Sequence, residues 1–161
     1  MGRQSDGPPA CPYIPPVPSA LYSRDILRLA ASIPHLATLE RPDARVEKRA
    51  PLCGSRVAVA VALDSVGRLA ALGQEVKACA LGQASAALMG AHAVGRSAAE
   101  LDHARAQLAA YLAGTRDDPG AWPGLAIFAN ARAYPARHGA ILLPFEAAAE
   151  AAAAAAQSAA A

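Results

Sequence analysis

The stretch of residues 51–85 constrains the fold more than any other part of this chain. Residues 57–63 alternate Val or Leu with Ala, an Asp-Ser-Val-Gly turn signal occupies 64–67, and a second strand-like run follows. Two such runs joined by a short turn predict an antiparallel β-hairpin. Cys53 precedes the hairpin and Cys79 follows it. Because a hairpin brings its outer ends together, the sequence predicts that both thiols lie at one end of a sheet.

Patterns typical of helices and of an edge strand surround the hairpin. The charged run 45–49 fits an edge strand, since charge discourages pairing with other chains. Ser23 can cap a first helix, and helical spacing resumes directly after Cys79. A Ser-Ala-Ala-Glu capping box at 97–100 starts a further helix, and Pro135 fits the first turn of a final one. The predicted order is therefore a helix, three strands and then several helices.

Length and composition are typical of a soluble chain with one folded domain. The 161 residues carry a net charge of +2, which is too small to predict a nucleic acid or an anionic membrane as partner. We find no signal peptide and no run typical of a membrane-spanning helix, so we predict a cytoplasmic protein. Residues 1–18 are predicted to be a disordered Pro-rich arm, 19–148 the folded domain and 149–161 an Ala-rich tail that frays.

The three cysteines allow more than one interpretation. An odd number without a secretory signal argues against a disulfide framework. We interpret Cys11, in the Pro-rich arm, as an incidental thiol, the alternative being a flexible thiol that reaches a site. Cys53 and Cys79 are either small buried apolar residues or metal ligands. The predicted helix start at Cys79 favours the second interpretation, because free backbone N–H groups there attract negative charge.

Five short pieces of the sequence occur in an order that resembles a known family. They are Tyr22-Ser23-x-x-Ile26, Pro51-x-Cys53-Gly54, Cys79-Ala80-x-x-x-Ala84-Ser85-Ala86, Val94-Gly95-Arg96-Ser97, and Tyr134-Pro135-Ala136-Arg137 leading to Leu143-Pro144-Phe145. This pattern resembles the U-type iron–sulfur cluster assembly scaffolds, of the NifU N-terminal, IscU and SufU type. The resemblance implies an α+β fold, a two-layer sandwich with helices packed on one face of a three-stranded antiparallel sheet.

The resemblance also implies a metal end that is made by one Asp and three Cys. Cys53 and Cys79 match the first two cysteines of the family pattern. Ser55 stands at the Asp position. When Arg137 is placed on the family's Arg, Ala140 stands at the third Cys. We therefore expect a divergent member that lacks two of the four ligands.

Three residues at the periphery of this end are candidates for supporting roles. His138 is a candidate third ligand, although its spacing of two residues from Ala140 points it to another face of a helix. Lys77 and Arg137 are expected near the mouth of the site, where positive charge favours thiolate or sulfide, unless they are ordinary surface charges. The remaining ligands would come from a second subunit, a small thiol such as glutathione, or a partner protein.

The leading hypothesis is a cytoplasmic, non-enzymatic scaffold-like protein of iron–sulfur cluster assembly. It would bind iron or a [2Fe–2S] cluster through Cys53 and Cys79. Its expected partners are a cysteine desulfurase, other cluster-assembly proteins and a second copy of the chain. One alternative is a metal-free interaction module that docks on the desulfurase or on an assembly complex. Another is a zinc-binding or sulfur-transfer protein.

Overall fold

A three-stranded antiparallel sheet forms one layer of the fold. The computed structural model describes residues 21–52 and 54–160, so the predicted arm at 1–18 with Cys11 lies outside the described residues, and so does Cys53. In the order in which they pair, the strands are β1 (Ala44–Arg49), β2 (Arg56–Leu63) and β3 (Leu69–Lys77). The predicted hairpin of β2 and β3 is confirmed, and β1 pairs with the other side of β2.

Helices form the second layer. They are α1 (Arg24–Ala30), α2 (Ala80–Ala93), α3 (Ala98–Leu112) and α4 (Pro135–Ala160), and a 3₁₀ segment (Leu125–Ala133) precedes α4. The predicted capping box is present at the start of α3. α4 packs against β1 and β2 and also against α2 and α3, so it is the central helix of the layer. The predicted α+β fold, with its three-stranded antiparallel sheet, is confirmed.

The two faces of β2 have different coverings. Its valines face the helices and are fully buried, at 0% exposure each: Val57, Val59 and Val61. Its alanines lie on the outer face, where the segment 35–42 runs against the sheet. The Gln74 N–H of β3 donates to the His35 carbonyl oxygen at 2.9 Å, and a Cβ on Gly73 would collide with the Ala37 carbonyl oxygen. Small residues on this face thus let an irregular segment approach the backbone closely.

The Ala-rich end of the chain differs from the expectation of fraying. α4 continues without interruption to Ala160. Four of its late alanines are buried, with exposures between 0% and 6%: Ala149, Ala151, Ala152 and Ala155. Lys48 on β1 also holds Glu150 through an ion pair of 2.6 Å. The late part of α4 does not fray because its methyl side chains allow α3 to pack closely, so that many small van der Waals contacts stabilise it.

Helix α4 also has the length and composition of a membrane-spanning segment, which differs from the sequence-based expectation. Its 26 residues include an 18-residue window of mean hydropathy 1.3. Of that window, 61% is buried inside the protein. The core helix of a soluble fold can have the same length and mean hydropathy, because alanine raises the hydropathy whether it faces lipid or protein. The burial of α4 therefore explains its composition within this fold.

Candidate metal centre

Cys79 is fixed at the point where the sheet passes into the helical layer. It is the N-cap residue of α2, with extended backbone angles, and it lies two residues beyond the end of β3. Its carbonyl oxygen accepts from the Gln83 N–H at 2.9 Å, while the Gln83 side chain donates to the Ala78 carbonyl oxygen at 2.9 Å. Its side chain makes no capping hydrogen bond and is half-buried. Among residues 21–52 and 54–160, the Cys79 thiol is therefore held in position without a capping bond or a disulfide.

The turn between β1 and β2 lies at the same end of the sheet as Cys79. The Ala50 N–H donates to the Ser55 carbonyl oxygen at 2.8 Å, and the Gly54 N–H donates to the Ala50 carbonyl oxygen at 3.0 Å. Arg56, directly after this turn, pairs in register with Lys77. Cys53 belongs to this stretch of sequence but lies outside the described residues. The predicted proximity of the two thiols thus stays a prediction, although the residues beside both of them share one end of the sheet.

The first turns of α4 complete this end of the molecule. A Cβ on Gly139 would lie 3.8 Å from the Ala50 Cβ. A Cβ on Gly82 would lie 3.2 Å from the Ala140 carbonyl oxygen. The Ser85 hydroxyl donates to the carbonyl oxygen of the next residue of α4, Ile141, at 2.5 Å. Three segments therefore meet here: the β1–β2 turn, the start of α2 and the start of α4.

The two positions where the family pattern has the Asp and the third Cys are both buried. Ser55 is 3% exposed and Ala140 is 0% exposed. Ala140 carries no donor atom, and it packs against the first turn of α2 at Gly82. At this position the start of α4 therefore contributes packing against α2 and no side-chain ligand.

His138 is engaged elsewhere. Its Nε2 atom lies 2.9 Å from the carbonyl oxygen of Ala131, near the end of the 3₁₀ segment. Within residues 21–52 and 54–160, no group of three or more His, Cys, Asp and Glu side chains is arranged to hold a metal ion. Two cysteine thiolates would supply half of the ligands that a closed iron–sulfur site requires.

Positive charge is concentrated at this end of the sheet. Arg49 ends β1, Arg56 starts β2 and Lys77 ends β3, and the register places them side by side across the three strands. We call these three residues the cation row. Direct cross-strand partners share a face of the sheet, so the three side chains project from the same face. Glu47 is the one carboxylate paired with the row among the described residues, at 3.6 Å from Arg49 and 3.3 Å from Arg56.

Lys77 is predicted from the sequence to lie near the site, whereas its two arginine neighbours are not. The signal that could have found them is the strand register, which aligns the end of one strand with the start of the next. Arg137, the other predicted peripheral cation, lies in the first turn of α4. Its backbone N–H donates to the Tyr134 carbonyl oxygen at 2.9 Å.

Comparison with known proteins gives matches among solved structures. The chain is 33% identical to the crystal structure of a nitrogen-fixing NifU-like protein (N-terminal) from Brucella abortus, with a TM-score of 0.80 over 86% of this chain and 96% of that one. It is 20% identical to an iron–sulfur cluster assembly scaffold protein for the SUF system from Fervidobacterium islandicum AW-1, with a TM-score of 0.77 over 84% and 99% of the two chains. A hypothetical protein matches at 20% identity and a TM-score of 0.71, over 80% and 94%. No protein-family model and no curated protein matches the chain.

Proposed function

This chain belongs to the U-type family that includes the NifU-like N-terminal domain, and from that premise we propose that it is a scaffold-like protein of iron–sulfur cluster assembly. Its cargo is iron or a [2Fe–2S] cluster, held by Cys53 and Cys79 with further ligands from outside the chain. The observation that carries the proposal is the uncommitted thiol of Cys79 at the start of α2, where three segments meet. The protein acts in the cytoplasm as a carrier rather than as an enzyme.

The chain's own residues favour an anionic cargo. Thiolates are the usual ligands of iron–sulfur clusters, and each brings a negative charge to the site. The N-terminus of α2 offers backbone N–H groups and the positive end of its dipole beside Cys79. The cation row adds positive charge at the same end of the sheet. Each of these features attracts an anionic cargo to this end of the sheet.

Replacement of Cys79 tests the site. Anaerobic reconstitution with iron and sulfide should give the wild type a visible absorption band and a native mass that includes iron and sulfide. The Cys79→Ser variant should lose both and keep its far-ultraviolet circular dichroism, because the half-buried thiol makes no capping bond that the fold would miss. Cys11→Ser is the matched control and should behave as the wild type. Unchanged iron binding in Cys79→Ser would contradict the proposed site.

The burial of Ser55 and Ala140 favours a second candidate function. Because both positions are buried and Ala140 carries no donor atom, the chain also fits an interaction module that has kept the scaffold fold without its cargo. Such a module would dock on a cysteine desulfurase or on a cluster-assembly complex. Co-purification with a desulfurase in the absence of bound iron would support this function. A chain that binds iron and sulfide by itself, and does not associate with a desulfurase, would exclude it.

A further inference from the structure

A cavity of about 240 Å³ lies on the outer face of the sheet, between the strands and the segment 35–42. Its floor is formed by Ala58, Ala60 and Gly73, and its wall by Leu39 and Pro42 of the segment. These side chains are small or apolar, so the inside of the cavity suits a hydrocarbon group. For comparison, an engineered cavity of about 150 Å³ lined by apolar side chains holds a benzene molecule. The cavity on this sheet is therefore large enough for a small aliphatic side chain.

Two anchors hold the segment 35–42 over the sheet. At its start, the Gln74 N–H of β3 donates to the His35 carbonyl oxygen at 2.9 Å. Just after its end, the Asp43 N–H donates to the Val61 carbonyl oxygen of β2 at 2.8 Å. Because each anchor is a backbone hydrogen bond to a different strand, the segment spans the floor of the cavity. The cavity is therefore part of the fold itself, as small-molecule sites usually are.

An ion pair also borders the cavity. Arg45 of β1 and Glu75 of β3 both line it, and their side chains meet at 3.3 Å. In the strand register Arg45 lies beside Ala60, whereas Glu75 lies beside Ala58, so the pair crosses over β2. Small side chains on β2 leave room for this crossing. The Arg45 and Glu75 side chains are 49% and 55% exposed, and an ion pair with that exposure adds little stability and separates readily.

We infer that this cavity is a binding site for a free aliphatic amino acid such as leucine. The aliphatic side chain occupies the apolar floor, the carboxylate binds Arg45, and the ammonium group binds Glu75. A zwitterion fits because Arg45 and Glu75 already neutralise each other. A carboxylate alone would compete with Glu75 for the guanidinium, whereas a zwitterion gives each of the two side chains a partner of opposite charge.

Other classes of ligand fit the cavity less well. A phosphate or a nucleotide brings several negative charges, but Arg45 is the one cation among the described lining residues, and it is already paired. A second carboxylate, Glu47, lies on the same face of the sheet two residues further along β1. An uncharged aliphatic molecule would fill the floor and bind neither charge. The cavity shares no residue with the proposed metal centre, so this inference is independent of the scaffold function.

Titration of the full chain with leucine tests whether the cavity binds it. In ¹H–¹⁵N correlation spectra, saturable shifts should centre on the segment 35–42 and on the cavity floor. Ala60→Leu fills the cavity with its own side chain and should weaken binding about tenfold or more, because it excludes the aliphatic group of the ligand. Ala62→Leu adds the same volume on the same face of β2 outside the cavity lining, and should bind as the wild type does. Equal affinity in Ala60→Leu, or no saturable shift up to the solubility limit of leucine, overturns the inference.

Two leucine analogues test the roles of the two charges. The analogue 4-methylpentanoate lacks the ammonium group and 3-methylbutylamine lacks the carboxylate, so each should bind the wild type about fivefold more weakly than leucine, the upper size for one exposed ion pair. Glu75→Gln should weaken leucine binding but improve 4-methylpentanoate binding, because Arg45 then has no competing carboxylate. Arg45→Gln should do the same for the amine. If neither variant changes the order of the three affinities, the assignment of the charges is wrong.

Three controls complete the experiment. Glu40→Gln and Arg41→Gln change the net charge by the same amounts at exposed positions that do not line the cavity, and should leave all affinities unchanged. Cys79→Ser should bind leucine as the wild type does, since the two sites share no residue, so a failed titration leaves the scaffold function standing. N-acetyl-leucine amide, which is uncharged and resembles leucine within a protein chain, should bind severalfold more weakly than leucine. Equal or tighter binding of this amide would assign the cavity to a side chain of a partner protein and overturn the inference.

Discussion

Ala140 shows how a single side chain sets what this site can bind. It is fully buried, and its backbone and methyl group contact the position of Gly82 in the first turn of α2. Gly82 follows the N-cap residue Cys79 by three positions, so Ala140 packs against the turn of α2 that Cys79 begins. A methyl group at this point packs the two helices together, whereas a thiol would add a ligand at the same point.

Ala140→Cys should add a metal ligand at a position that only packs two helices together in the wild type. We expect the variant to retain iron and sulfide about tenfold better than the wild type when no small thiol is present, the scale on which a change of ligand support alters metal affinity. The added sulfur should also lower the free energy of unfolding by ~1–3 kcal/mol, because the position is already filled. Retained iron after desalting and urea unfolding measure the two effects. Ala147→Cys, at a buried position two turns further along α4, is the control, and equal iron retention in both variants would show that Ala140 does not face the site.

At the scale of elements, one carboxylate joins the start of β3 to the start of α3. Glu100 accepts from the Ser97 N–H at 2.8 Å and from the Arg68 side chain at 3.1 Å. Arg68 also donates to the Gly95 carbonyl oxygen at 2.9 Å. The hydrogen bond from Ser97, together with the charges of Arg68 and Arg96, holds the pKa of the Glu100 carboxyl below its usual range. The ionised form of Glu100 is therefore the form that the fold favours.

Glu100→Gln should remove a stabilising effect that depends on pH. Because the pKa is lower in the folded state, ionised Glu100 stabilises the fold above its unfolded-state pKa, and this contribution disappears as the pH falls through the folded-state pKa. The variant should therefore be less stable than the wild type at neutral pH, and the difference should shrink as the pH falls below the ordinary range of a glutamate carboxyl. Urea midpoints across this range measure it. Glu40→Gln, at an exposed position, is the control, and a difference independent of pH would contradict the assignment.

The order of strands and helices follows from local patterns, whereas the surroundings of the site do not. Val and Ala alternation, the turn at 64–67 and the capping box each act within a few residues, so they could be read from the sequence. The burial of Ala140 depends on how α4 meets α2, and the alignment of Arg49 with Arg56 depends on the strand register. Such placements arise from contacts between distant parts of the chain. The segment 35–42 was missed for the same reason, since its position depends on a hydrogen bond to Gln74 in β3.

At the scale of the whole molecule, the Ala-rich end belongs to the folded body. The predicted boundary after residue 148 falls in the middle of α4, and the buried alanines continue to Ala155. The ion pair between Lys48 and Glu150 links this end to the sheet edge. The end of α4 therefore supports α3 and β1 rather than extending freely from them.

Removing residues 149–161 should destabilise the whole domain. Four buried methyl groups are lost with the segment, which at about 0.8 kcal/mol each lowers the free energy of unfolding by roughly 3 kcal/mol. Chemical denaturation monitored by circular dichroism measures the loss. A shorter truncation of residues 157–161 should have almost no effect, because 157–160 are exposed. If the two truncations have the same stability, the late alanines do not contribute to the core.

The contacts of β3 with its neighbours have a consequence for self-association. Its outer edge is occupied at two places, where the Leu69 N–H donates to the Arg96 carbonyl oxygen at 2.9 Å and the Gln74 N–H donates to the His35 carbonyl oxygen at 2.9 Å. A foreign strand that extended the sheet would have to displace both bonds there. The opposite edge of the sheet is β1, where the exposed residues Arg45, Glu47 and Arg49 alternate with less exposed residues. Fibril growth by strand addition is thus obstructed by backbone bonds on one side and by charge on the other.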